Sequence, residues 1–177
     1  MRPACPAALP AGSQLADIIL LRSELLHDID EGIQQIEKGR TATAPAASAL
    51  LPTGASDNYL LARHIDTAVN QAVARCRAYL LVPSPYVHRF STDHVEQWEE
   101  KSILLAMPHT WASHNIEPLR DAIHNYIVYR AMSLFLTFSD EKAAGMADIM
   151  ASNSYDDIAV LLSARTKPLT CGFTPLA

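Results

Sequence analysis

Glycine is scarce in this chain, with 6 residues among 177, and the catalytic motifs that depend on glycine are missing. The sequence contains no G-x-S-x-G nucleophile turn and no glycine-rich phosphate loop that ends in Lys-Ser or Lys-Thr. It also lacks the H-E-x-x-H pattern of zinc hydrolases. We therefore expect no catalytic activity, no bound metal and no cofactor.

Cysteine is also sparse, and its spacing excludes the usual metal and redox motifs. The 3 cysteines, Cys5, Cys76 and Cys171, are far apart and form no C-x-x-C pair. Such spacing is typical of free thiols in a reducing compartment and not of a disulfide framework.

An excess of positive charge and a long apolar run are both lacking. With 19 acidic and 14 scattered basic side chains the net charge is −5, which argues against a general affinity for nucleic acid. The longest apolar helical segment, near residues 126–138, is too short to span a bilayer and contains Arg130. Prolines break the opening "MRPACPAALPAGS", which makes it a poor signal-peptide core. We expect a soluble protein.

Apolar residues recur at three- and four-residue steps along most of the chain, and this period predicts helices. The predicted helices run from Ser13 to Gly39, from Asp57 to Pro83, over residues 91–107, from Pro118 to Phe138, and from Ser139 to Arg165. In the third segment, "SILLAM" fits a strand equally well, because short apolar runs do not distinguish the two. The sequence predicts an all-α fold, a bundle of four to five helices.

Two of these helices have predicted inner faces. In the fourth helix the face contains Ile123, Ile127, Leu134 and Phe138, and in the fifth it contains Met146, Met150, Ile158, Leu161 and Leu162. Further apolar residues lie on a second flank of the fourth helix, which is typical of a central helix with several neighbours.

The helical domain, residues 13–165, is flanked by segments that are predicted to be extended. These are a proline-broken tail (1–12) and a C-terminal arm (166–177), and the domain itself contains a long Ala/Pro/Thr loop (40–56). A loop of this length is typically a mobile connection or a functional segment, here one that orders against a neighbouring subunit.

The best metal candidates are the carboxylate-x-x-His pairs Glu24/His27 and Asp121/His124. This spacing on two helices occurs in di-iron bundles, together with a Glu from each remaining helix. At 100° per residue, however, Glu24 and His27 lie on the polar side of the first helix, and no inward Glu completes the set. We expect solvated faces here and no metal.

Tyr129 and Arg130 lie near the middle of the apolar fourth helix, and two interpretations stay open. They are either edge residues of a buried helix, with long side chains that reach water, or anchors of a protein interface, where Tyr and Arg are enriched.

The stretch "LRDAIHNYIVYRAMSLFLTFSDEKAAGMADIMASNSYDDIAVLLSARTKP" resembles the C-terminal helical pair of head–tail adaptor proteins of tailed bacteriophages, also called connector, neck or ring proteins. The resemblance lies in a helix that ends in Y-x-x-Y-R-A, a short acidic turn, and a second helix with an arginine stop. "IDTAVNQAVARCRAYLLVPSPYV" is similar to their early helix, which runs into a proline-containing loop. The likeness spans roughly residues 60–168 and consists of helix patterns.

The resemblance implies a virion structural protein in the neck of a tailed phage, made in the host cytoplasm. Such a protein would link the portal to the tail and line or surround the DNA channel. Its partners would be further copies of itself in a closed, commonly twelvefold ring, the portal protein, other neck or tail proteins, and passing DNA without sequence specificity. No membrane partner is expected. The alternative is a soluble helical enzyme or regulatory binding protein whose site the sequence does not reveal.

The C-terminal arm is predicted to hold subunits together. Lys167-Pro168 cannot continue the preceding helix, and the arm carries Leu169, Phe173 and Leu176, apolar residues that a merely solvated tail would not need. Such a segment either docks on a neighbour or folds back on its own bundle. The predicted interface residues are Tyr129, Arg130, Arg165, Lys167, Leu169, Phe173 and Leu176.

Overall fold

The structure is a computed structural model that describes residues 12–41, 55–81 and 98–165. These residues form strands and helices in the order β1 (Ser13–Leu21), α1 (Arg22–Thr41), α2 (Ala55–Arg75), β2 (Glu100–Pro108), α3 (Ile116–Leu136) and α4 (Glu141–Ser163). Short 3-10 helices lie at Arg77–Tyr79 and Ser113–Asn115. The predicted tails 1–11 and 166–177 and most of the loop 40–56 lie outside the described residues.

The prediction of an all-α fold is wrong in part, because β1 and β2 form a two-stranded antiparallel sheet. The prediction of a helix that begins at Ser13 fails over its first turns, since α1 starts only at Arg22. In β1, side chains alternate between the core and the outside: Ala16, Ile18 and Leu20 are buried, whereas Leu15 and Ile19 are exposed. In so short an apolar stretch, both a period of 2 and a period of 3.6 fit.

The strand alternative for the third segment is confirmed, because "SILLAM" lies in β2. Ile103, Leu105 and Met107 are its buried residues and alternate as a half-buried strand requires. The register pairs Ser13 with Pro108 and Leu21 with Glu100. The rest of the segment, residues 91–97, lies outside the described residues.

The helix α3 lies at the centre of the fold and packs against α4, α2, α1 and β1. It has buried residues on more than one side, as a central helix requires: Leu119, Ala122, Ile123, Tyr126, Ile127, Val128, Ala131, Met132, Ser133 and Leu136. The predicted inner position of Phe138 is wrong, since α3 ends at Leu136 and the Phe138 side chain is 98% exposed.

The helix α4 begins after Asp140, whose side chain accepts a hydrogen bond of 3.0 Å from the Ala143 backbone N–H. Asp140, and not Ser139, is therefore the N-cap. The buried face of α4 consists mainly of small residues, Ala144, Ala147, Ala151 and Ser154, followed by Ile158 and Leu162. Met146 and Met150, predicted to face inward, are exposed, because the alanine stripe lets α4 approach α3 closely.

Candidate interaction surfaces

A polar cluster around Arg130 lines an open pocket of about 460 Å³ between α2, α3 and α4. The Arg130 guanidinium lies 2.5 Å from Asp148 Oδ1 on α4 and donates through Nε to Gln71 Oε1 on α2. The Tyr126 hydroxyl donates to the same Gln71 oxygen at 2.9 Å. The cluster thus ties the three helices together and presents a neutralised cation, an amide and a phenol to the pocket.

The phenol in this pocket is held in its neutral form. Burial raises the pKa of Tyr126, and the nearby Arg130 guanidinium offsets this only in part. The Tyr155 ring lies against Tyr126 with 5.4 Å between ring centroids. The Arg75 guanidinium stacks 4.2 Å above the Tyr155 ring, and this attractive cation–π contact helps to hold the Tyr155 ring in place.

The structure positions some of the predicted interface residues and not others. Arg130 is half-buried and uses its guanidinium within the chain, and Tyr129 is partly buried against the core. Arg165 is exposed and donates to the carbonyls of Leu162 and Ala164 at the end of α4. Lys167, Leu169, Phe173 and Leu176 lie outside the described residues. A role for any of these residues in an interface stays a prediction.

One member of each predicted carboxylate–histidine pair contacts the other helix, but the two pairs do not meet. Asp28 Oδ2 lies 2.7 Å from His124 Nε2, and Glu24 lies 3.5 Å from Arg120. His27 and Asp121 are exposed. Within residues 12–41, 55–81 and 98–165, no three metal-binding side chains converge. Glu24 and Arg120 therefore form a surface ion pair, and Asp28 and His124 form a hydrogen bond, between α1 and α3.

The outward side of α4 contains four exposed apolar residues, Met146, Ile149, Met150 and Val160, which we call the α4 apolar stripe. Their side chains are 63%, 63%, 46% and 64% exposed. They lie on the side of the helix away from Ala147, Ala151 and Ile158. Exposed Asn153, Asp156 and Asp157 separate Val160 from the other three. The apolar repeat in the sequence did not reveal this stripe, because it placed Met146 and Met150 on the predicted inner face. The three- and four-residue spacing of alanines on the other side was the signal that could have revealed it.

A second exposed feature is the outer edge of β1, the side of the strand that does not pair with β2. Leu15 and Ile19, which are 48% and 42% exposed, flank Asp17 on the outer face of the sheet. The Asp17 carboxylate accepts a hydrogen bond from the Ser102 hydroxyl of β2.

Comparison with known proteins finds no match to this chain among family models, among curated proteins or among solved structures. Among the described residues, no helix combines the length and the apolar character needed to cross a membrane.

Proposed function

We propose that this protein is a virion structural protein, a head–tail adaptor that assembles into a ring between the portal and the tail of a tailed phage. The proposal rests on the sequence likeness over residues 60–168 and, for assembly itself, on the α4 apolar stripe. Its partners would be further copies of the chain in a closed ring, twelvefold in this proposal, together with the portal and other neck or tail proteins. DNA would pass through the ring without sequence-specific contacts.

The α4 apolar stripe is the observation that carries the proposal. Exposed apolar residues scattered singly need no explanation, but here Met146, Ile149 and Met150 are neighbours on the outward side of one helix. Apolar side chains grouped in this way mark surfaces that bind other proteins. Methionine suits such a surface because its side chain adapts to its partner.

The direct test is the mass of the purified protein in solution, measured by native mass spectrometry and by light scattering. We expect a closed oligomer with one uniform subunit number, visible as a ring by electron microscopy. A chain that remains monomeric at high concentration and also fails to bind the portal protein of its own virus would contradict the proposal.

Matched variants connect the oligomer to the stripe. Ile149→Asp places a charge in the centre of the stripe and should weaken association at least tenfold, about 1.4 kcal/mol. Leu60→Asp makes the same change at an exposed leucine of α2 and should leave association unchanged. Equal effects of both substitutions would argue against the stripe as the contact.

The pocket around Arg130 favours a second candidate, a regulatory binding protein or enzyme for a small polar molecule. Its volume of about 460 Å³ lies within the range of ligand sites. A small-molecule screen by ligand-detected NMR, with Gln71→Ala as the control, tests this alternative. Binding that the substitution abolishes would support it.

A further inference from the structure

The backbone of β1 has hydrogen-bonding groups on its open side. The Gly12 carbonyl accepts from the His109 N–H at one end of the sheet, and the Arg22 N–H donates to the Glu99 carbonyl at the other, each at 3.0 Å. With the observed register, the even-numbered residues of β1 therefore exchange hydrogen bonds with β2. The N–H and C=O groups of Leu15, Asp17 and Ile19 point away from β2, and no strand in the described part of the chain pairs with them.

The two edges of the sheet differ. The far edge of β2 is partly covered, because the Leu81 N–H donates to the Leu104 carbonyl at 3.0 Å and Leu80 bridges to Leu105. The β1 edge has nine strand residues and exposes Leu15 and Ile19. Asp17 is its only charged residue. A long, apolar edge strand of this kind is a template for pairing with another chain.

Resting on the proposed function, we propose that the β1 edge receives residues 169–174 of a neighbouring copy as an added strand. In "LTCGFT", Leu169, Cys171 and Phe173 alternate with polar or small residues, as a half-buried strand requires. Pro168 and Pro175 bracket the segment and limit a strand to the residues between them. The segment thus matches the edge in length and in pattern.

An antiparallel register places apolar residues opposite each other. With Cys171 opposite Asp17, Leu169 lies opposite Ile19 and Phe173 lies opposite Leu15. Directly opposite side chains share one face of a sheet, so these pairs cover the exposed leucine and isoleucine of β1. The main-chain bonds of such an added strand provide affinity, and the alternating side chains provide specificity.

The position at which the arm leaves α4 favours a neighbouring copy over the same chain. The Trp111 indole N–H donates to the Leu161 carbonyl at 2.8 Å, and the Gln14 amide donates to the Trp111 carbonyl. The last turn of α4 therefore lies at the Ser13 end of β1. An arm that follows its own β1 directly from there runs parallel to it. An arm from another copy can enter at the Leu21 end and form the antiparallel ladder, which is slightly more stable per residue.

Disulfide trapping tests this pairing in the full chain. In a Cys5→Ser background the remaining thiols are the buried Cys76 and Cys171 within the arm. Asp17→Cys adds a thiol opposite Cys171 in the proposed register, where the Cα separation of about 5.5 Å suits a disulfide. Gln34→Cys, at an exposed position of α1, is the matched control.

After mild oxidation, non-reducing electrophoresis and peptide mass spectrometry should show a disulfide that joins the thiol introduced at position 17 of one copy to Cys171 of another. We expect it to form at least tenfold faster than the control bond. A bond within one chain would show that the arm lies on its own sheet and would overturn the proposal. Equal rates at both positions would also overturn it.

Arm substitutions provide a second measurement that leaves the described fold untouched. The pair Leu169→Asp and Phe173→Asp should raise the dissociation constant of self-association at least tenfold, whereas Thr170→Asp and Thr174→Asp should change it less than threefold. If the protein forms a ring but neither pair matters, the strand pairing fails while the proposed function stands. If no oligomer forms at any concentration and the portal is not bound, the proposed function is contradicted, and the strand pairing that rests on it is contradicted as well.

Discussion

Cys76 follows directly after α2, and its side chain is fully buried. Burial raises the pKa of its thiol to about 12, and the neighbouring Arg75 lowers it only slightly in comparison. The thiolate is the reactive form of cysteine. The expectation of free thiols from the sequence thus holds at this position, where the thiol packs as a small apolar side chain.

A variant with Cys5→Ser and Cys171→Ser leaves Cys76 as its only thiol and should resist modification. At pH 8 the raised pKa lowers the thiolate fraction by roughly a thousandfold relative to an unfolded chain. The rate of reaction with an aromatic disulfide reagent, with and without urea, measures this difference. A rate in buffer within about tenfold of the rate in urea would contradict the burial of this thiol.

Gly32 of α1 packs directly against the Met132 side chain of α3. A Cβ atom at this position would lie 2.8 Å from Cε and 2.9 Å from Sδ of Met132, so that side chain has to move when a larger residue replaces the glycine. Alanine is preferred over glycine in a helix by up to about 1 kcal/mol. We expect Gly32→Ala to show little or no gain in stability in the natural chain.

The same substitution in a Met132→Ala background should show most of that gain. Urea unfolding of the two single variants and the double variant gives a coupling energy, expected to be about 1 kcal/mol in favour of the double variant. Additive effects would mean that Met132 accommodates the new methyl group without cost.

At the scale of elements, the helices were easier to predict than the sheet. The positions of α3 and α4 follow from apolar repeats, from Pro118 and from the acidic turn before α4, although the N-cap is Asp140 and not the predicted Ser139. The helix predicted from Asp57 to Pro83 is α2, which runs from Ala55 to Arg75. The strand β1 was not predicted, because its existence depends on β2, and Ser13 pairs with Pro108 from a distant part of the chain. A local sequence pattern carries no information about pairing with so distant a segment of the chain.

The candidate surfaces could also be predicted from the sequence only in part. The sequence singled out Arg130, but its ion pair with Asp148 depends on how α3 and α4 cross. The α4 apolar stripe was misassigned because both sides of α4 contain apolar residues. Size alone does not tell which side is inside: the smaller alanines are buried and the larger methionines are exposed.

Trp111 links the end of β2 to the end of α4 through a single indole hydrogen bond. The ring is 2% exposed, and its N–H donates to the Leu161 carbonyl at 2.8 Å. Trp111→Phe removes this donor and part of the buried ring, so we expect a loss of about 1–3 kcal/mol in the free energy of unfolding. Chemical denaturation followed by circular dichroism measures it.

Trp98→Phe is the control for that substitution. The Trp98 indole also donates a hydrogen bond of 2.8 Å, to Asp66, but the ring is only partly buried. Its loss should therefore cost less than the loss of Trp111. The opposite order would contradict the assignment of Trp111 as the main connection at this end of the fold.

At the scale of the whole molecule, the described residues form one core around α3. That core includes buried residues of both strands and of the helices α1 to α4. We predict that folding depends on this core and that assembly depends on the C-terminal arm, residues 166–177.

Deletion of residues 168–177 tests this separation. Helix content and the melting temperature of the monomer should stay almost unchanged, within about 2 °C, while ring formation or portal attachment weakens. Circular dichroism melts and sedimentation velocity of the two chains provide both measurements. A truncated chain that assembles as well as the full chain, or that unfolds as a monomer, would show that the arm has another role.

The sheet register also has a consequence for synthesis on the ribosome. Ser13 pairs with Pro108, so at about 5–20 residues per second the nascent β1 waits roughly 5–20 seconds for its partner strand. During that interval both edges of β1 and its apolar residues are available to other nascent chains and to chaperones. Slower translation before β2 should therefore increase aggregation of the newly made protein, whereas slower translation after Pro108 should not.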